Sequence, residues 1–283
     1  RRSRRLSILQ QLESRHLLAG ELDASFGTAG IVTTDLHNNL TRYDAANAVA
    51  VDASGRMIAV GTTGIIARFT SSGGFDTAFN ESDVSKFPGE AVGVAVQSDG
   101  KIVVAGTTSE GSTNLFTVAR YNPDGSFDTT FDGDGIQYTS FGPLRVTANS
   151  LALQSNGNIV IAGVASNSSL ANYDFVAARY LPNGSLDVSF DGDGRATADI
   201  GTYDFGKSVA IQNDGKVVIA GATQTAGNYD FSVVRFNQDG SLDSTFSGDG
   251  KLTTDFGSAS DEASGVAIQA DGKLVVVGKT MVG

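Results

Sequence analysis

The hydrophobic positions of this chain come in short, dense runs separated by polar turns. Val209-Ala210-Ile211 and Val217-Val218-Ile219-Ala220 stand on either side of Gln212-Asn213-Asp214-Gly215-Lys216. Strict alternation would mark a sheet with one wet face. A continuous apolar run of strand length marks a strand covered on both faces. Asp-Gly between two such runs accepts the positive φ angles of a tight type I′ turn, so the spacing predicts a hairpin over Val209–Gln212 and Lys216–Ala220. Phe231–Phe236 reads as a third strand, ended by Asn237-Gln238-Asp239-Gly240. A shorter fourth, Lys251–Thr254, follows a glycine-rich stretch.

The pattern repeats. The block Val94–Gly106, with Gln97-Ser98-Asp99-Gly100-Lys101 at its centre, recurs at Leu151–Gly163, Val209–Gly221 and Val266–Gly278, and in degenerate form at Val49–Gly61. The turn glycines Gly55, Gly100, Gly157, Gly215 and Gly272 follow at intervals of 45, 57, 58 and 57 residues. A second block places an arginine eight residues before an aspartate in each of four copies: Arg68 and Asp76, Arg120 and Asp128, Arg179 and Asp187, Arg235 and Asp243. A third is Phe131-Asp132-Gly133-Asp134-Gly135, repeated at Phe190–Gly194 and, with a serine, at Phe246–Gly250.

Four antiparallel strands per unit, buried on both faces, predict an all-β fold: a β-propeller, or part of one, of four-stranded blades in about five repeats, the last incomplete. A right-handed parallel β-helix is the rival, although its rungs are shorter and lack tight Asp-Gly hairpins. The repeat domain spans residues 21–283, in units of approximately 22–75, 76–127, 128–186, 187–242 and 243–283. Leu22–Thr34 supplies an orphan fourth strand, suited to closing a ring against the last blade. The fifth copy stops at Gly283 before any arginine strand, and the chain has no initiator Met, so a piece of a longer protein is an equal expectation.

The composite pattern, Val-Ala-x-Gln-x-Asp-Gly-Lys followed by Arg-Tyr-x-x-Asp-Gly-Ser-Leu-Asp-x-x-Phe, resembles the bacterial delta-60 repeat. The first copy departs from it, with Ser54 at the turn aspartate. The resemblance implies a repeat architecture and no reaction. Residues 1–20 form a separate basic tail, with five Arg against one Glu. Within it, Leu12-Glu13-Ser14-Arg15-His16-Leu17-Leu18-Ala19 is similar to the LEPR-XLL motif of large bacterial surface and exported proteins, with Ser14 in place of Pro. That resemblance implies an export or sorting segment and an extracellular or cell-surface location. The bland reading is a plain disordered or helical tail.

Charge narrows the partners. The net charge is −11, and the body is more acidic still because the tail is basic. Such a surface repels a phosphate backbone, which argues against nucleic acid. No run reaches the roughly 18 apolar residues of a membrane helix. The absence of cysteine removes disulfides, thiolate metal sites and cysteine nucleophiles.

Candidate chemistry is sparse. The only histidines are His16 and His37, so nucleophilic triads have no base. The Arg/Asp pair recurs once per unit, whereas an active site needs one copy, so it reads as a structural fork tying the third strand to the turn after it. The Asp-Gly-Asp-Gly blocks offer oxygen ligands for calcium, but Asp-Gly is also ordinary turn chemistry and EF-hand spacing is absent. No catalytic, cofactor or metal residue is assigned, and no cofactor is expected. Loops of variable length carry the tips Asn172-Tyr173-Asp174-Phe175 and Asn228-Tyr229-Asp230-Phe231. The expectation is a non-enzymatic exported or cell-surface scaffold that binds a protein or carbohydrate through loops on one face. The alternative is a carboxylate-dependent glycosidase or lyase built on unrepeated acids such as Glu81, Glu90, Glu110 and Glu262.

Overall fold

A computed structural model describes residues 23–33, 45–79, 85–111, 113–167, 172–225, 227–257 and 260–281. The basic tail, both histidines and Glu81 lie outside them.

Blade 1 comprises β1 (Ala46–Val51), β2 (Met57–Gly61), β3 (Ile65–Phe69) and β4 (Ser85–Lys86). Blade 2 comprises β5 (Glu90–Val96), β6 (Ile102–Glu110), β7 (Thr113–Tyr121) and β8 (Ile136–Thr139). Blade 3 comprises β9 (Arg145–Leu153), β10 (Ile159–Ser166), β11 (Tyr173–Tyr180) and β12 (Arg195–Ala198). Blade 4 comprises β13 (Asp204–Ile211), β14 (Val217–Thr225), β15 (Asn228–Phe236) and β16 (Lys251–Thr254). A fifth, two-stranded sheet pairs β17 (Ser260–Ile268) with β18 (Leu274–Met281). Within each sheet the strands follow chain order and pair antiparallel. The first strands β1, β5, β9, β13 and β17 pack on one another in turn. Among the described residues the only helical segment is a three-residue 3-10 turn, and no helix is long and apolar enough to cross a membrane. The expected propeller architecture is therefore present, and the stacked parallel rungs of a β-helix are not.

The continuous apolar runs are explained by what lies on each side. In β10, Ile159 and Ile161 pack with Val103, Phe116 and Val146 toward blade 2. Val160 and Ala162, one residue on, pack with Val209, Ile219 and Val234 of blade 4. Successive side chains leave opposite faces of a strand, so a sheet between two sheets needs apolar residues at every position. The recurrent glycine has a more local task than close sheet packing. Each first strand carries a β-bulge opposite it, and a Cβ on Gly163 would stand 2.0 Å from the Thr147 carbonyl oxygen.

The hairpin turns differ from expectation. Gln97 N–H donates to Lys101 O and Gly100 N–H to Gln97 O, which encloses three loop residues instead of two. Only the glycine has positive φ, 83° at Gly100, while Asp99 does not. This is a type I turn closed by a left-handed glycine. The aspartate keeps a negative φ because its Oδ1 accepts the N–H two residues on, as Asp99 does from Lys101 at 3.1 Å.

The two ends of the array are uncovered. Val49 and Val51 of β1 are 64% and 61% exposed, and Val277 of β18 is 58% exposed. Residues 23–33 lie against blade 1, where Phe26 and Val32 help line an apolar cleft of about 380 Å³ with Val49, Met57 and Ile65. Gly27 N–H donates to Ser72 O just as Asp132 N–H donates to Asn183 O one blade further on. The expected orphan strand is not formed over residues 23–33, which make turns and one isolated bridge, Thr28 with Ile31, and stand where the outer end of a preceding blade would. Among the described residues no backbone pairing joins them to β17 or β18.

Candidate functional site

Each blade has two edges. The Asp-Gly turns and the Arg/Asp pairs lie at one; the β6–β7, β10–β11 and β14–β15 connections, with the links between blades, lie at the other.

At the turn edge all four arginines meet their aspartates. The Nε–Oδ2 distances are 2.7 Å for Arg68–Asp76, 2.6 Å for Arg120–Asp128, 2.8 Å for Arg179–Asp187 and 2.7 Å for Arg235–Asp243. The contact is not the expected two-pronged fork. Only Nε reaches the carboxylate. Nη1 crosses to the next blade and donates to a turn carbonyl: Arg68 to Pro123 O, Arg120 to Pro182 O, Arg179 to Gln238 O. Nη2 donates to Thr130 or Ser189 in blades 2 and 3. The guanidinium also lies over a phenylalanine of the glycine-rich block, 4.9 Å from the Phe131 ring and 4.6 Å from that of Phe190. One side chain thus ties strand, turn and neighbouring blade. Spacing within the repeat could reveal its aspartate but not its partner in the next repeat.

Asp128, Asp187 and Asp243 are held ionised. Burial pushes Asp128 up, but hydrogen bonds from Lys101, Thr130 and Arg120 outweigh it and hold the group well below the usual carboxylate range. Lys216 first, then Thr245, do the same for Asp243.

The Asp-Gly-Asp-Gly blocks are turns. Asp132 has φ of 51°, and its N–H is taken by blade 3; Asp134 Oδ1 accepts Ile136 N–H at 2.9 Å. Asp191 and Asp193 repeat this arrangement. Among the described residues neither pair belongs to a group of three converging carboxylates.

The loop edge is built differently. In the two polar-aromatic tips, Phe175 and Phe231 turn into the core while Tyr173 and Tyr229 stay half-buried at the surface. The tyrosines join a row that crosses from blade 3 to blade 4. Tyr203 and Tyr173 are 5.5 Å apart between ring centroids, Tyr173 and Phe205 5.2 Å, Phe205 and Tyr229 5.9 Å. Lys207 Nζ lies 5.5 Å from the Phe205 centroid.

At the same edge two groups of three carboxylates converge within 4.8 Å: Asp174, Asp199 and Asp204 between blades 3 and 4, and Asp230, Asp255 and Asp261 between blade 4 and the last hairpin. Here a hard cation would find three oxygen ligands. In each group one member already serves the backbone. Asp204 accepts the N–H of Ile200 and Gly201 and the Thr223 hydroxyl, and Asp261 accepts Phe256 N–H. Burial, then Asp199 and Asp204, push the Asp174 carboxyl up. Burial also raises Asp204, against the bonds it accepts. Sequence reasoning missed both groups because each joins a third-strand aspartate to two aspartates of the following inter-blade link, 25–31 residues further on. A signal exists in the alignment of repeats: Asp174 and Asp230, Asp199 and Asp255, Asp204 and Asp261 hold the same positions, where the preceding seam has Leu115, Ser140 and Val146.

Three stretches of the chain, 97–131, 154–190 and 212–246, match a family model described as "Domain of unknown function (DUF5122) beta-propeller". Each runs from the hairpin glutamine through the Arg/Asp pair to the phenylalanine beneath it. The chain is a β-propeller. Similar solved structures include an endo-arabinase from Bacteroides thetaiotaomicron VPI-5482, at 14% identity, 81% coverage of this propeller, 86% of that chain and a TM-score of 0.48. The gluconolactonase XC5397 of Xanthomonas campestris aligns at 16% identity over 82% and 69%, with a TM-score of 0.45. A fucose lectin from Kordia zhangzhouensis aligns at 10% identity over 58% and 97%, with a TM-score of 0.35. None carries an argument about activity at these scores. No curated protein matches the chain.

Proposed function

We propose that this propeller is a non-enzymatic binding scaffold, exported or held at the cell surface, that takes a carbohydrate chain along its loop edge. The observation that carries the reading is the row Tyr203, Tyr173, Phe205 and Tyr229, half-buried at the loop edge, the edge that also carries Asp174 and Asp199. Rigid aromatic faces supply apolar contact area at little entropic cost, and nearby carboxylates supply acceptors for hydroxyl groups. The row lies where blades 3 and 4 depart from blade 2, so the repeat alone does not require it. Export rests on the resemblance of the basic tail to a sorting motif. Of the acids of the enzyme alternative, Glu262 pairs with Lys279 at 3.4 Å, and Glu81 lies outside the described residues.

The chain has no tryptophan, so intrinsic fluorescence reports its tyrosines. Titration with a panel of soluble polysaccharides is expected to change that signal for at least one of them. Tyr173→Ala and Tyr229→Ala are each expected to weaken the response about tenfold while leaving the β-sheet circular dichroism unchanged. A panel without any response, or a response that survives both substitutions, overturns the reading.

A further inference from the structure

The residue after the hairpin glycine is Arg56, Lys101, Asn158, Lys216 and Lys273 in successive blades. In blades 2 and 4 this lysine completes the Arg/Asp pair. Lys101 Nζ stands 2.8 Å from Asp128 Oδ2, and Lys216 Nζ 2.8 Å from Asp243 Oδ2. Blade 3 has no ammonium to offer. Asn158 Nδ2 donates to Asp187 Oδ2 at 3.1 Å, but the amide is short and neutral. Beside it, between blades 3 and 4, a polar cleft of about 840 Å³ opens, lined by Gln154, Asn158, Arg179, Asp187, Asp214 and Asp239.

The lining asks for a cation. Three carboxylates face one guanidinium, and that guanidinium is committed to Asp187, Ser189 and Gln238 O. Asp214 and Asp239 each use only Oδ1, Asp214 to accept Lys216 N–H and Asp239 the N–H and hydroxyl of Ser241. Gln154 is 9% exposed; its Nε2 donates to Gly215 O at 3.0 Å, while its buried Oε1 has no donor, as is also true of Gln97 Oε1 in blade 2, so this acceptor is open to a ligand but is not a consequence of the missing lysine. A buried acceptor without a donor costs about 1–3 kcal/mol, so a ligand that donates there gains that much over one that cannot. A bare divalent ion is the poorer fit, because these aspartates do not converge within 4.8 Å of one another.

We infer that this cleft binds a protonated primary amine on an unbranched aliphatic chain, standing where the adjacent blades place their own lysine. An ammonium brings three donors on a compact head, which suits acceptors spread around a cleft better than a planar fork does. The amine belongs either to a free polyamine or to a lysine side chain of a partner. The site lies at the turn edge, apart from the aromatic row, and does not depend on it.

The test is calorimetric titration of the whole chain with 1,5-diaminopentane, with 1,5-pentanediol as the uncharged control, and with Nα-acetyl-lysine methylamide. The diamine is expected to bind and the diol not. Asn158→Lys restores the sequence of blades 2 and 4 and fills the place from within. It is expected to fold and to bind the diamine at least about tenfold more weakly. Asp214→Asn with Asp239→Asn, both at exposed turns, gives a second route to the same loss. Binding of both amines supports a lysine side chain as the source, and binding of the diamine alone supports a free amine. Equal binding of diamine and diol overturns the inference, as does a diamine affinity unchanged in either variant.

Discussion

The turn edge and the loop edge are made from the same strands and give their carboxylates different partners. At the turn edge each buried aspartate is surrounded by donors. Asp128 accepts from Arg120, Lys101 and both the N–H and hydroxyl of Thr130. At the loop edge Asp174, Asp199 and Asp204 face one another, and among the described residues they form no ion pair. The first arrangement recurs in every complete blade because each blade must be fastened to the next. The second appears only at the last two seams. Uniform features hold the array together; the departures from uniformity, the aromatic row and Asn158, are where ligand chemistry becomes available.

The largest expected effect breaks the turn edge. Asp187→Ala strands Arg179 in the blade 3–blade 4 seam, and loss of one partner of a buried pair costs about 3–5 kcal/mol. Tyr229→Ala, at the half-exposed loop edge, is expected to cost about 1 kcal/mol. Urea denaturation of both variants makes the comparison, and comparable losses would erase the distinction between edges.

A smaller difference separates two arginines within the turn edge. Arg179 donates through Nη1 to Gln238 O of the following blade, whereas among the described residues the Nη1 of Arg235 makes no such inter-blade bond and reaches Gln212 Oε1 of its own blade at 3.5 Å. Arg179→Lys is therefore expected to cost more than Arg235→Lys, by about 1.5 kcal/mol, the worth of one charge-assisted hydrogen bond. Equal losses would mean that the inter-blade bond contributes nothing.

The smallest effect is a pair of opposed pH slopes. Asp128, Asp187 and Asp243 have carboxyls lowered in the folded state. The unfolded chain then binds more protons, so their contribution is present above about pH 4 and is lost as the pH falls below it. Asp174 and Asp204 are raised. There the folded state binds more protons, so stability increases as the pH falls from neutrality toward about 4. Denaturation midpoints are expected to rise between pH 7 and pH 4.5, and less so in Asp174→Asn. A midpoint that falls over that interval, or an unchanged slope in the variant, contradicts the raised carboxyls of the loop edge.

The sequence by itself determined the blade. Dense apolar runs such as Val217–Ala220, punctuated by Asp-Gly turns at a fixed interval, leave a sheet covered on both faces as the one economical solution. The eight-residue spacing of Arg120 and Asp128 was legible for the same reason: both lie within one hairpin, and local geometry brings them together. The turn type was misread because a glycine after aspartate suits two loop lengths, and only the hydrogen bonds of Gln97 and Gly100 decide between them. What joins one repeat to another could not be read from the period. The Arg179 bond to Gln238 O spans 59 residues, the Asp174–Asp199–Asp204 group joins the third strand to the link after it, and the row from Tyr203 to Tyr229 crosses a seam. Tertiary structure decided these because they depend on how one blade is rotated against the next, a property fixed by the packed cores between sheets and not by any single repeat. The cleft beside Asn158 belongs to both kinds. The sequence marks the one hairpin of the five without a basic residue after its glycine, and the fold shows that the missing ammonium leaves a space lined with acceptors.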